Sequence, residues 1–218
     1  LIGLVAFILN ACQEEKLLER SDVNLNKLTM TSGTAYDGRT SLFPNKQNGR
    51  TTLRVKFLEE TEENQKLRKL VIQHAKEWEE HANIFFDFVG KDENPTDIRI
   101  ALNCTTLDAN VMGNSHVGLN NRNVPQEKAT MKYSIDLKGD EPYFKRIILH
   151  EFGHALGLDH EQYHPNSVVI KDRISNKKLY SKYDKASIMH YSYDAKSTAD
   201  NSPIIGSYEL SDEDKYFI

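Results

Sequence analysis

Two cysteines, Cys12 and Cys104, are all that 218 residues contain. A disulfide-stapled scaffold is thereby excluded, because secreted domains of that kind carry four or more cysteines in a short chain. An excess of positive charge is missing too: 28 Lys and Arg stand against 32 Asp and Glu, scattered along the chain for a net charge of −4. With no basic stripe to offer a phosphate backbone, nucleic acid is not an expected partner. Beyond the first residues no apolar run approaches the roughly 20 residues of a membrane-spanning helix, and no internal repeat is visible. At 39% hydrophobic residues the chain can bury one substantial core, so one globular domain plus a tail is expected.

The opening LIGLVAFILNAC reads as the apolar part of a secretion signal whose charged start lies upstream of Leu1. Its end, Leu9-Asn10-Ala11-Cys12, resembles a bacterial lipobox, where the signal is cut before the cysteine and lipid joins the sulfur. That resemblance implies an exported protein anchored at the bacterial envelope through Cys12. A plain signal peptide with an incidental cysteine, giving a secreted protein, is the alternative. Cys104 then reads as a buried apolar thiol at a strand end. Residues 13–49 hold much Asn, Lys, Thr, Ser and Gly without a sustained period and read as linker or pro-segment; residues 50–218 read as the folded domain.

Within that domain, Leu53, Val55 and Phe57 alternate with Arg54 and Lys56, which predicts a half-buried strand over 52–57. Apolar residues at Leu67, Leu70, Val71, Ala75, Trp78 and Ala82 predict a long amphipathic helix over 59–82, its acidic residues in the opening turns where the macrodipole favours them. Strands follow at 84–89 and 97–102 around a turn at 90–95. The stretch 103–128 is polar and weakly periodic, and 129–137 alternates as an edge strand beside a substrate groove. Asp140 caps a second helix that runs to Leu156, where Gly157 stops it.

That helix carries the chemistry. In His150-Glu151-Phe152-Gly153-His154-Ala155-Leu156-Gly157-Leu158-Asp159-His160 two histidines stand one helical turn apart on one face, so both imidazoles reach one ion. Gly157 can adopt positive φ, ending the helix and returning His160 to the same ion. Three neutral nitrogens leave one tetrahedral position open, which marks a catalytic rather than a structural zinc site. Glu151 sits beside the first ligand as general base for a zinc-bound water. An amphipathic helix with surface charges is the bland reading of His-Glu-x-x-His alone, and Gly157 and His160 at these offsets argue against it.

HEFGHALGLDH matches the HExxHxxGxxH signature of metzincin metallopeptidases, and Ser187-Ile188-Met189-His190-Tyr191 resembles their Met-turn, in particular that of the astacin family. The resemblance implies that Met189 packs beneath the metal and that Tyr191 ligates zinc, then swings away to stabilise the oxyanion. Leu210, Ser211 and Asp214 match an astacin-like Leu-Ser-x-x-Asp stretch that starts a final helix. The family pairs the glutamate at Glu161 with a processed N-terminus. Its arginine and aspartate further on are replaced here by His164 and Asn166, and its usual phenylalanine by Leu158, which describes a divergent bacterial relative.

His74 and His81 read as surface or packing residues on the first helix, and His116 and His164 are left open between a role and a solvated loop. The fold expected is α+β and metzincin-like: a twisted mixed sheet of four or five strands, two long helices and a small irregular C-terminal subdomain. The function expected is a monomeric zinc endopeptidase with one catalytic ion, acting on protein or peptide substrates. A non-catalytic peptide-binding or adhesion lipoprotein, and a latent zymogen whose zinc is blocked by a pro-segment residue such as an unlipidated Cys12, are the alternatives.

Overall fold

The alternating stretch at 52–57 becomes an interior strand of the sheet. In the computed structural model, which describes residues 50–104, 111–134, 141–170 and 182–218, β1 (Thr51–Phe57) buries Leu53, Val55 and Phe57. Lys56 is buried as well, its Nζ donating to the Glu93 carbonyl and Asn94 Oδ1 at 3.1 and 2.9 Å. Both edges of the strand are paired, in parallel with β2 (Ile84–Val89) on one side and β3 (Ile98–Ala101) on the other. β5 (Met131–Tyr133) continues the sheet parallel to β3, and β4 (Gly113–Ser115) closes it antiparallel to β5, giving the order β2-β1-β3-β5-β4. The mixed α+β architecture with a five-stranded sheet is the one the sequence implies.

Two elements differ from expectation. The edge strand beyond β3 is β4, inside the stretch that read as polar and weakly periodic, whereas the segment expected at the edge supplies β5, an interior strand. β4 is only Gly-Asn-Ser, all three buried, so it carries no apolar alternation to read. The first helix, α1, spans Gln65–Ala75 and continues as a 3-10 turn to Glu80, so it begins six residues later than expected. Glu59, Glu60, Glu62 and Glu63 precede it. The Asn64 amide there donates to the Glu59 carbonyl, and its Oδ1 accepts from Thr61 N, organising a separate turn.

The apolar stripe of α1 nevertheless packs as read, with Val71, Ala75 and Trp78 fully buried. Trp78 Nε1 donates to the Leu149 carbonyl at 3.1 Å and ties α1 to the second helix, α2 (Glu141–Leu156). Ile147, Ile148, Leu149 and Phe152 of α2 join the core. Arg99 of β3, wholly buried, donates to the carbonyls of Thr96, Asn121, Val124 and Lys128 and so gathers the loop between β4 and β5. Burial lowers the pKa of its guanidinium, with Asp97 and Glu127 opposing. Cys104, expected buried, is half-buried and free.

Beyond α2 the described residues are mostly irregular, with bridges Val169–Thr198 and Tyr193–Ile204, and include a short helix, α3 (Asp212–Phe217). Ser211 and Asp214 form its capping box, as the Leu-Ser-x-x-Asp likeness implies. Cys12, residues 13–49 and Asp140 lie outside the described residues. Among the described residues no helix is long and apolar enough to cross a membrane.

Candidate metal centre

α2 ends at Gly157, whose φ is 112°. Its N–H donates to the His154 carbonyl at 2.8 Å and that of Leu158 to the Gly153 carbonyl at 2.9 Å, the paired bonds of a Schellman C-cap. This left-handed turn carries the chain back on itself and brings His160 over the face that holds His150 and His154. The three Nε2 atoms converge: His154 and His160 stand 3.0 Å apart, His160 and His150 3.2 Å. All three rings are buried.

The tautomers follow from the outer partners. His150 Nδ1 lies 2.9 Å from the Ile188 carbonyl and His154 Nδ1 2.8 Å from the Leu158 carbonyl. A carbonyl only accepts, so each Nδ1 carries the proton and each Nε2 presents a lone pair inward. Burial, with Arg146 adding to it, pushes His150 down to about 4, so its ring is neutral near pH 7. Inward lone pairs this close repel unless a cation lies between them. Nitrogens bonded at 2.0–2.1 Å to one tetrahedral zinc would be about 3.3 Å apart, close to the spacing seen. The donor set fits a zinc ion.

Glu151 is buried next to the first histidine, directly under β4. A Cβ on Gly113 would stand 3.0 Å from Glu151 Cγ and Oε1, so glycine is what lets the edge strand pass so close. Met189 lies below the helix, where a Cβ on Gly153 would stand 2.5 Å from its Sδ. Tyr191 is half-buried, its ring centroid 4.6 Å from that of His160 and 5.7 Å from that of His150.

The turn bearing Met189 and Tyr191 is held by a residue the sequence marked only as part of the stretch that starts the final helix. Asp214 accepts from Ser187 Oγ at 2.7 Å and from Ile188 N at 2.8 Å, while also serving Ser211 N at 2.9 Å. Burial pushes its carboxyl upward against those three bonds. Since Ile188 in turn orients His150, the C-terminal helix reaches the metal centre through two hydrogen bonds. Glu161 accepts from Asp184 N at 2.8 Å, and burial, ahead of the acidic neighbours, pushes it up to about 8.

Of the other histidines, His74 is buried with Nδ1 2.8 Å from Glu77, and His81 is exposed, as their packing and surface readings had it. His164 is buried, its Nδ1 accepting from Asn166 N at 2.9 Å, and is therefore not a solvated loop residue. His116 is half-buried and outside the group that could hold a metal.

In fold and in its three-histidine site the chain is similar to astacin-type metzincins. Among solved structures it is similar to myroilysin, with a TM-score of 0.67 at 27% identity over 83% of this chain and 94% of that one. A second crystal structure of myroilysin gives a TM-score of 0.59 at 25% identity over 84% and 86% of the two chains. High choriolytic enzyme 1, a hatching-enzyme zinc-protease of the medaka fish Oryzias latipes, shares the fold, with a TM-score of 0.54 at 19% identity over 85% and 95%. No family model and no curated protein sequence matches the chain.

Proposed function

We propose that this chain is a zinc-dependent endopeptidase, with His150, His154 and His160 holding one ion, Glu151 as general base and Tyr191 as further ligand and oxyanion donor. The observation that carries the proposal is the convergence of three Nε2 atoms at 3.0 and 3.2 Å, with two of the rings pinned by carbonyls in the metal-binding tautomer. Bound there, zinc supplies a Lewis acid for the scissile carbonyl and acidifies water. Glu151 takes the proton of the attacking water and passes it to the leaving amine. Tyr191 donates its phenol to the oxygen on which negative charge develops. β4, at the edge of the sheet and against Glu151, aligns an extended peptide across the site.

The likeness to a zinc-protease of known fold supports this reading, as does the presence of Glu151, which a peptide-binding or adhesion protein would not need. Export, with a lipid anchor at Cys12, belongs to the same proposal and rests on the LIGLVAFILNAC segment.

The test is metal analysis of the purified chain together with casein cleavage before chelation, after it, and after zinc is returned. One zinc per chain with cleavage lost and then restored is expected. Absence of zinc overturns the proposal. Zinc without cleavage favours the latent or binding alternatives, and these part on whether removing residues 13–49 switches cleavage on.

A further inference from the structure

Tyr191 lies outside any helix or strand, yet both of its main-chain polar groups are held by side chains. Its N–H donates to Gln162 Oε1 at 3.3 Å, and its carbonyl accepts from His190 Nδ1 at 2.7 Å. His190 is itself held, its Nε2 accepting from the Tyr183 hydroxyl at 2.9 Å. With Nδ1 as donor and Nε2 as acceptor, the His190 ring is neutral and fully used. Gln162 sits on the 3-10 turn Glu161–Tyr163 that leaves His160, so one side chain links the ligand loop to the turn bearing Tyr191.

Gln162 is also a costly residue in its place. It is completely buried, and its Nε2 has no hydrogen-bond partner among the described residues. The amide cannot be flipped to spend that donor, because the Tyr191 N–H needs the oxygen. A buried donor left unspent opposes folding, and leucine, of similar size, would fill the site without it, giving up only the 3.3 Å bond from Tyr191 N. Stability therefore does not account for a glutamine here, whereas an acceptor aimed at Tyr191 N does.

We propose that Gln162 is a positioning residue for catalysis, which with His190 and Tyr183 fixes the main chain of Tyr191 so that its phenol turns about a fixed pivot over the histidine triad. This rests on the zinc endopeptidase reading. It differs from a structural role in that the effect of Gln162 passes entirely through the Tyr191 hydroxyl.

The test compares Gln162→Leu, Tyr183→Phe and Tyr191→Phe with the parent, and each of the first two combined with Tyr191→Phe. Zinc content, melting temperature, kcat and KM are measured, with calorimetric affinity for a phosphinic peptide, a tetrahedral anion that takes the place of the oxyanion. Gln162→Leu is expected to keep its zinc and melt close to the parent, the removal of the unspent donor offsetting the loss of the bond from Tyr191 N. It should lose about tenfold in kcat with KM little changed, and weaken phosphinate binding by a similar factor. On the Tyr191→Phe background it should change neither quantity, and Tyr183→Phe should follow with a smaller loss. A loss in kcat that is the same with and without the Tyr191 hydroxyl overturns the proposal, and so does a Gln162→Leu variant that melts well below the parent with kcat intact. A parent that neither holds zinc nor cleaves casein overturns the protease reading and this proposal together; an active parent with additive effects overturns this proposal alone.

Discussion

Asp214 lies far along the chain from the histidine triad and touches none of it, so replacing it tests whether the centre is supported as described. Asp214→Ala removes the acceptor for Ser187 Oγ, Ile188 N and Ser211 N, at 2.7, 2.8 and 2.9 Å. At about 1–1.5 kcal/mol net for each bond the loss is about 3–4 kcal/mol, the release of a buried carboxyl offsetting the extra strength of bonds to a charged group. For a domain of this size that lowers the melting temperature by about 10 °C. The same change frees Ile188, whose carbonyl holds His150 Nδ1 at 2.9 Å. Loss of such an outer partner costs about tenfold or more in metal affinity. The assay is thermal unfolding with and without zinc, and competition for zinc against a chromogenic chelator. Asp212→Ala is the control, since Asp212 stands exposed on the same helix with Lys215 at 3.9 Å; it should change stability by under about 0.5 kcal/mol. An Asp214→Ala protein that melts within about 2 °C of the parent, with unchanged zinc affinity, would refute the reasoning.

Three further changes probe the frame around the ion. Gly157→Ala forces a side chain onto a φ of 112° and should cost about 1–2 kcal/mol, with zinc affinity falling further because His160 is placed by that turn; calorimetry and chelator competition report both. Gly153→Ala sets a methyl 2.5 Å from Met189 Sδ, and the overpacking should destabilise by about 1–3 kcal/mol in thermal unfolding. Zinc retention should hold on acidification to about pH 5 and fail below it. The ligands bind deprotonated, and burial keeps His150 neutral down to about 4, so affinity drops as pH falls through that range; release to a zinc indicator during acid titration tracks it.

Much of this was legible because it is local. Strands at 84–89 and 51–57 show in their apolar residues, the end of α2 in Gly157, and the triad in spacings of one helical turn and one reversal. Sheet order is not local: β4 is only Gly-Asn-Ser and carries no alternation, and the alternation at 129–137 marks β5 as a strand without telling that it lies inside the sheet. The start of α1 was misplaced because acidic residues ahead of a helix look the same as acidic residues in its first turn. Asp214 stood in the Leu-Ser-x-x-Asp stretch that starts the final helix, but its bonds to Ser187 and Ile188 span 27 and 26 positions and leave no pattern in the chain. Gln162 and Tyr183 gave no signal either, since a glutamine beside a ligand and a tyrosine in a loop are ordinary until the fold brings Tyr191 between them.

Binding of zinc by the triad and proton transfer by Glu151, under the edge strand, are separable in one variant. Glu151→Gln keeps the shape of the side chain and leaves the three histidines untouched, so the most direct measurement is its zinc content beside its casein cleavage rate. One zinc per chain is expected, as in the parent, with cleavage reduced at least about a thousandfold. A Glu151→Gln protein that holds zinc and cleaves at the parent's rate would contradict this role of Glu151.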